Sequence, residues 1–359
     1  MTVATRRRTL AGLVPALLAG ALLLFYGPPA WTEKHQPVRT TAEQAWPGAA
    51  RADLPGFVSD GPLFQPLLFL DVHTAVGTAP TPDGSALRLL IRDPDGTLRQ
   101  LRRLPAASGP RFEPVTTDGA EIFWAETTDQ RHEEIWAAPL RGGQPRRLTG
   151  DTGAALFYGN QYDLVVAAGR LYWTAGADAE RTEIRSVALT GGPVRVRVQP
   201  GRWALSAWPW LTDDAGRLTG ATRLFNLVTG RETAVAATAT ETLSCGPTWC
   251  RAMVLSSAGL ERIDLLHPDG TGRRRIAGGD ARVAVTDVAL LDRFEILSEG
   301  GPGSDLTGTA ALLAYDLSTG DTVTLAAAAG AAFTHNGILW WSTGPDDKTV
   351  WHSVDLRTA

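Results

Sequence analysis

Phe123-Trp124, Ile135-Trp136 and Gly142-Gly143 return as Tyr172-Trp173, Ile184-Arg185 and Gly191-Gly192, each 49 residues further along the chain. An aromatic strand, an apolar strand and a glycine turn recurring at a period of about 40 to 50 residues form the pattern of a β-propeller blade, a four-stranded sheet repeated around a ring. The glycine turns Asp95-Gly96, Gly142-Gly143, Gly191-Gly192, Thr229-Gly230, Asp269-Gly270 and Thr319-Gly320 keep roughly the same interval. Each follows an apolar alternating run, such as Leu224-Phe225-Asn226-Leu227, Arg262-Ile263-Asp264-Leu265 and Leu313-Ala314-Tyr315-Asp316-Leu317. These runs are expected to be the third strands of successive blades.

The final module stops early. Gly337-Ile338-Leu339-Trp340-Trp341 and Val350-Trp351-His352-Ser353-Val354-Asp355-Leu356 supply inner strands, but the sequence ends at Ala359 without an outer one. An open ring would leave unpaired strand edges, so a strand from between Glu43 and Phe64 is expected to complete the last blade. The expectation is an all-β propeller of about seven four-stranded blades, with six as the alternative. Trp124, Trp173 and Trp341 share one strand position and are expected to fill the wedges between neighbouring blades.

The chain has 359 residues, 44% hydrophobic and 20% charged, enough to bury a large core. Its net charge of −4 argues against nucleic acid, which requires a basic surface. Arg6-Arg7-Arg8, the uncharged residues 10–26 and the breaker Gly27-Pro28-Pro29 read as an export segment. The division expected is 1–30 basic stub and signal-anchor helix, 31–43 linker, and 44–359 propeller outside the cytoplasm. An uncleaved single-pass anchor is the primary reading, with a cleaved signal and a secreted propeller, or twin-arginine export, as alternatives. Only Cys245 and Cys250 occur, around a Gly-Pro turn, and a local disulfide is expected.

At Ile135-Trp136-Ala137-Ala138-Pro139-Leu140-Arg141-Gly142-Gly143-Gln144-Pro145-Arg146-Arg147-Leu148-Thr149-Gly150 the chain resembles the repeat of TolB-like propellers. In those repeats a short apolar strand, a Gly turn, a basic pair and Leu-Thr close the blade. Ile263-Asp264-Leu265-Leu266-His267-Pro268-Asp269-Gly270, followed by Arg273-Arg274-Arg275-Ile276, is a weaker echo. The resemblance implies a propeller outside the cytoplasm that binds something in the envelope. TolB itself has an α/β domain ahead of its propeller. The roughly 35 to 40 residues between the apolar segment and the first blade are too few for one, so TolB's lipoprotein-binding role does not transfer and no site residue is carried over.

Chemistry is not legible in local motifs. No Gly-x-Ser-x-Gly elbow is present, so the propeller-plus-hydrolase arrangement of prolyl peptidases has no motif to support it. The six histidines are scattered without metal-ligand spacing. Asp93-Pro94-Asp95-Gly96 reads as a turn, and Glu133-Glu134 and Asp213-Asp214 as solvated acids, because neighbours on a strand face opposite ways. No cofactor, metal or catalytic residue is expected. Trp203, Trp208 and Trp210, with Trp249 inside the cysteine loop, are the candidate platform for a protein or glycan ligand. The resulting expectation is a non-catalytic binding scaffold or sensor in the envelope, with a carbohydrate-active enzyme or lectin as the alternative.

Overall fold

The computed structural model of the chain describes residues 39–213, 222–301 and 304–359. Within them, strands form seven antiparallel sheets, six of four strands and one of five. The ring is therefore a seven-bladed propeller, and the six-blade alternative falls. In blade 1 the strands Gln65–Phe69, Ala75–Pro80, Ala86–Arg92 and Leu98–Pro105 lie side by side in chain order. Blades 2, 4, 5 and 6 repeat that order, and blade 3 does so with its inner strand in two pieces. The seventh sheet joins Ala332–His335, Ile338–Thr343 and Val350–Asp355 to Arg51–Pro55, with Arg51 opposite Val354 and Pro55 opposite Val350.

Turn chemistry sets the blade edges. Gly96, Gly142, Gly191, Gly230, Gly270 and Gly320, each after a third strand, all have positive φ between 70° and 102°. An L side chain at these positions would clash with its own backbone, which is why glycine recurs there.

The tryptophans of the repeat sit between blades. Trp124 is fully buried among Leu68, Leu89 and Ile91 of blade 1. Trp173 packs against Phe123 and Ile135 of blade 2, and Trp341 against Ile296 and Leu312 of blade 6. Burying an aromatic of this size contributes roughly 3 kcal/mol, so each wedge also binds two sheets together.

Residues ahead of the first strand also belong to the packed body. Thr324 donates its N–H to the Thr40 carbonyl at 2.9 Å, and Trp46 meets Phe294 edge-on at 5.2 Å. A short helix, Ala42–Ala45, lies between them, and the Arg51 guanidinium donates to the Ala42 and Trp46 carbonyls at 2.7 and 2.8 Å. The expected signal-anchor helix falls on residues outside those described. Among the described residues, no helix is long and apolar enough to cross a membrane.

Candidate functional site: a divided channel on the ring axis

Blade 3 departs from the repeat. Its inner strand is split into Ala154–Leu156 and Val165–Ala167, and both halves pair with Arg170–Asp178. Leu156 faces Thr174 and Val165 faces Tyr172, so residues 157–164 stand where the neighbouring strand advances by Trp173 alone. The excess chain must leave the sheet, and it enters the channel.

The loop is held from within by Asp163, whose Oδ2 accepts N–H bonds from Tyr158, Gly159 and Asn160 at 2.8, 2.7 and 3.3 Å. Its tip crosses the axis. Gln161 Oε1 accepts the Asn336 N–H of blade 7 at 2.8 Å, and the Gln161 side chain lies near Asp287 of blade 6, whose carboxyl it pulls down against burial.

The loop lies between two chambers. One, of about 840 Å³, is walled by Tyr158, Tyr162, Trp249, Arg251 and Asp287, and by the turns that follow the inner strands of blades 4 to 7. The other, of about 700 Å³, is walled by Arg111, Glu113, Glu133, Phe157, Asp163 and Phe333. Asn160, Gln161 and the segment 284–287 border both.

Arg251 fastens that segment. Its guanidinium meets Glu295 at 2.5 Å, with both side chains buried, and donates to the carbonyls of Val285, Thr286 and Asp287. Glu295 in turn accepts the Ala289 N–H at 2.8 Å. Asp287 is 8% exposed. Its Oδ2 accepts the Thr334 hydroxyl at 2.5 Å, and its Oδ1 is buried without a partner.

Burial dominates the protonation of these groups. It pushes Asp163 up to about 6 against the pull of its three N–H donors, and the nearby Asp287 adds to the rise. Burial also raises Asp287, and it raises Tyr162, where Asp287 and Asp292 contribute as well. His335 is lowered to about 4 by burial, and neither of its shielded ring nitrogens has a partner, so it is neutral at physiological pH.

Asp163 gives a pH prediction. Between its ordinary value near 3.8 and about 6 the folded state keeps a proton that the unfolded state releases, so stability falls as pH rises through that window. The effect is at most about 3 kcal/mol. Asp163→Asn should gain on the wild type between pH 4.5 and 7 in urea denaturation, and an unchanging difference would refute the assignment. Carboxylates held low by arginine, such as Asp60 beside Arg88 and Asp355 beside Arg357, act oppositely, losing their contribution below about pH 4.

The tryptophan platform does not assemble. Trp203 is 1% exposed, its indole N–H bound to the Pro200 carbonyl at 2.6 Å and its ring covered by Arg223 at 4.9 Å. Trp208 packs on Tyr172 with ring centroids 4.1 Å apart, and Trp210 lies against the cluster containing Leu224 and Leu243. Trp203 and Trp208 thus pack on one cluster, the first inside it and the second at its edge, while Trp210 joins another, so the three indoles present no common face. Trp249 is 9% exposed, lies tilted against His267 with ring centroids 4.0 Å apart, and touches the larger chamber. Cys245 and Cys250 are joined in a disulfide, and the turn it closes forms part of that chamber's rim.

Asp213 is also not a solvated acid. It is 2% exposed and takes the Arg223 guanidinium at 2.7 Å. Asp163, Asp287 and the channel loop were missed in the sequence. The available signal was the polar stretch Gly159-Asn160-Gln161 interrupting an otherwise apolar inner strand. Among the described residues, no three His, Cys, Asp or Glu side chains converge as metal ligands.

No family model matches the chain, and no curated protein matches it. Solved structures do resemble it. A prolyl endopeptidase aligns with TM-score 0.52 and 12% identity, over 88% of this chain and 48% of its own. A puromycin-hydrolyzing peptidase of Mycobacterium tuberculosis aligns with TM-score 0.51 and 15% identity, over 88% and 53%. TolB from Acinetobacter baumannii aligns with TM-score 0.36 and 12% identity, over 82% and 86%. The chain spans about half the length of the two peptidases.

This corrects the expectation of a non-catalytic scaffold. Rings of this fold form part of peptidases, so the lack of a nucleophile motif within the ring does not separate a scaffold from an enzyme. The aromatic platform invoked for the carbohydrate alternative is not assembled, with Trp203 buried and Trp208 and Trp210 packed on different clusters.

Proposed function

We propose that this chain is the propeller of a peptidase-type enzyme, and that its divided channel holds a short peptide or aminoacyl compound on the ring axis. The observation that carries this reading is the larger chamber. It has about 840 Å³, aromatic walls from Tyr158, Tyr162 and Trp249, and an inner end occupied by the polar side chains of Gln161 and Asp287. Mixed aromatic and polar walls of this size suit a ligand of a few residues. The structural likeness to two peptidases is consistent with that ligand class. Arg51–Pro55 is read as the lock of the ring, fixing the diameter of the channel it closes.

The test is calorimetric titration with a panel of di- and tripeptides, alongside hydrolysis of aminoacyl amides. Saturable binding that weakens at least about tenfold in Tyr158→Ala is expected, since that ring is part of the wall and can be removed from an exposed position. A panel without any saturable binding and without turnover would overturn the reading.

A further inference from the structure

We propose that Asp287, at the floor of the larger chamber, is the recognition site for a primary ammonium group, with Asp163 reinforcing the negative charge from the far side of the channel loop. The proposal deepens the peptide-holding reading and takes its ligand class from it, but its geometry is independent. Asp287 Oδ1 is buried, unpartnered and in a residue bordering both chambers. Burial draws the Asp287 carboxyl toward its protonated form, and an entering ammonium that donates to the free oxygen relieves that cost and favours the carboxylate.

Among the described residues, no cation already fills the role. Arg251, whose charge acts on Asp287, is the cation at hand, and its guanidinium is engaged by Glu295 and by the carbonyls of Val285, Thr286 and Asp287. Among the described residues neither Asp163 nor Asp287 has an ion-pair partner, and His335 is neutral. A metal ion is disfavoured because, among the described residues, no set of three ligand side chains converges. A primary ammonium carries three donors on a compact head, and Tyr158, Tyr162 and Trp249 offer ring surface to the chain behind it.

The experiment titrates Ala-Phe-Ala, its N-acetyl form and phenethylamine into wild type and Asp287→Asn at pH 7. The Asn variant retains an oxygen for the Thr334 hydroxyl, and urea denaturation confirms that it folds. The free tripeptide should bind at least about tenfold more tightly than the acetylated one, and that ratio should collapse toward one in Asp287→Asn. Equal binding of both peptides to the wild type would overturn the ammonium site while leaving the peptide reading intact. If neither peptide binds, the peptide reading fails. Phenethylamine then decides the site alone: binding lost in Asp287→Asn supports it, and absence of binding overturns it.

Discussion

Replacing Arg251 by Met should destabilise the protein by about 3 to 5 kcal/mol, the range expected when one partner of a buried ion pair is removed. Arg251 lies on the second strand of blade 5 and Glu295 on that of blade 6, with side chains 4% and 0% exposed. Without the guanidinium, Glu295 remains buried and uncompensated, and three carbonyls of the 284–287 segment lose their donor. A second substitution separates these costs. Arg251→Met combined with Glu295→Gln removes the stranded charge while Gln still accepts the Ala289 N–H, so most of the loss should return. Urea denaturation of both variants is the measurement. A double variant as unstable as the single one would mean that the carbonyl contacts, and not the ion pair, hold the segment. The single variant should also bind chamber ligands more weakly, since that segment borders both cavities.

Trp351→Ala should cost a similar amount, about 3 to 5 kcal/mol. The indole is 3% exposed and packs with Leu54, Phe64, Phe69, Leu90 and Trp340 at the seam between blades 7 and 1. It is also polar-bonded across that seam, its N–H donated to the Phe64 carbonyl at 2.9 Å. Trp351→Phe keeps most of the apolar contact but leaves the carbonyl without its donor, for a smaller loss of about 1 to 3 kcal/mol. Hydrogen exchange locates the effect. Faster exchange should concentrate in Val350–Asp355, Arg51–Pro55 and Gln65–Phe69, the strands that meet there. Uniform acceleration around the ring would show that the seam is no weaker than any other blade junction.

Much of the fold was legible because it is local. A third strand and its turn are contiguous, so Leu313-Ala314-Tyr315-Asp316-Leu317 and Gly320 could be recognised together, and the structure places them as a strand and a left-handed turn. The wedge position of Trp124 and Trp173 was legible for the same reason: one register repeated 49 residues later meets the preceding blade in each case. The tryptophan platform failed where proximity in sequence was taken for proximity of faces. Trp203, Trp208 and Trp210 are close along the chain, but the first fills a core and the others turn toward different blades.

By itself, the amino-acid sequence determined the strand repeat, the glycine turns, the aromatic wedges and the cysteine pair, since each depends on residues within one blade or one turn. Only the tertiary structure decided the divided channel. The contact from Gln161 to Asn336 spans 175 positions, and that from Arg251 to Glu295 spans 44. The exposure of Asp287 and Asp163 is set by blades that pack around them, not by their sequence neighbours. A carboxylate on a loop has the same local signature whether water or a closed ring surrounds it, and only ring closure removes the water that makes the difference.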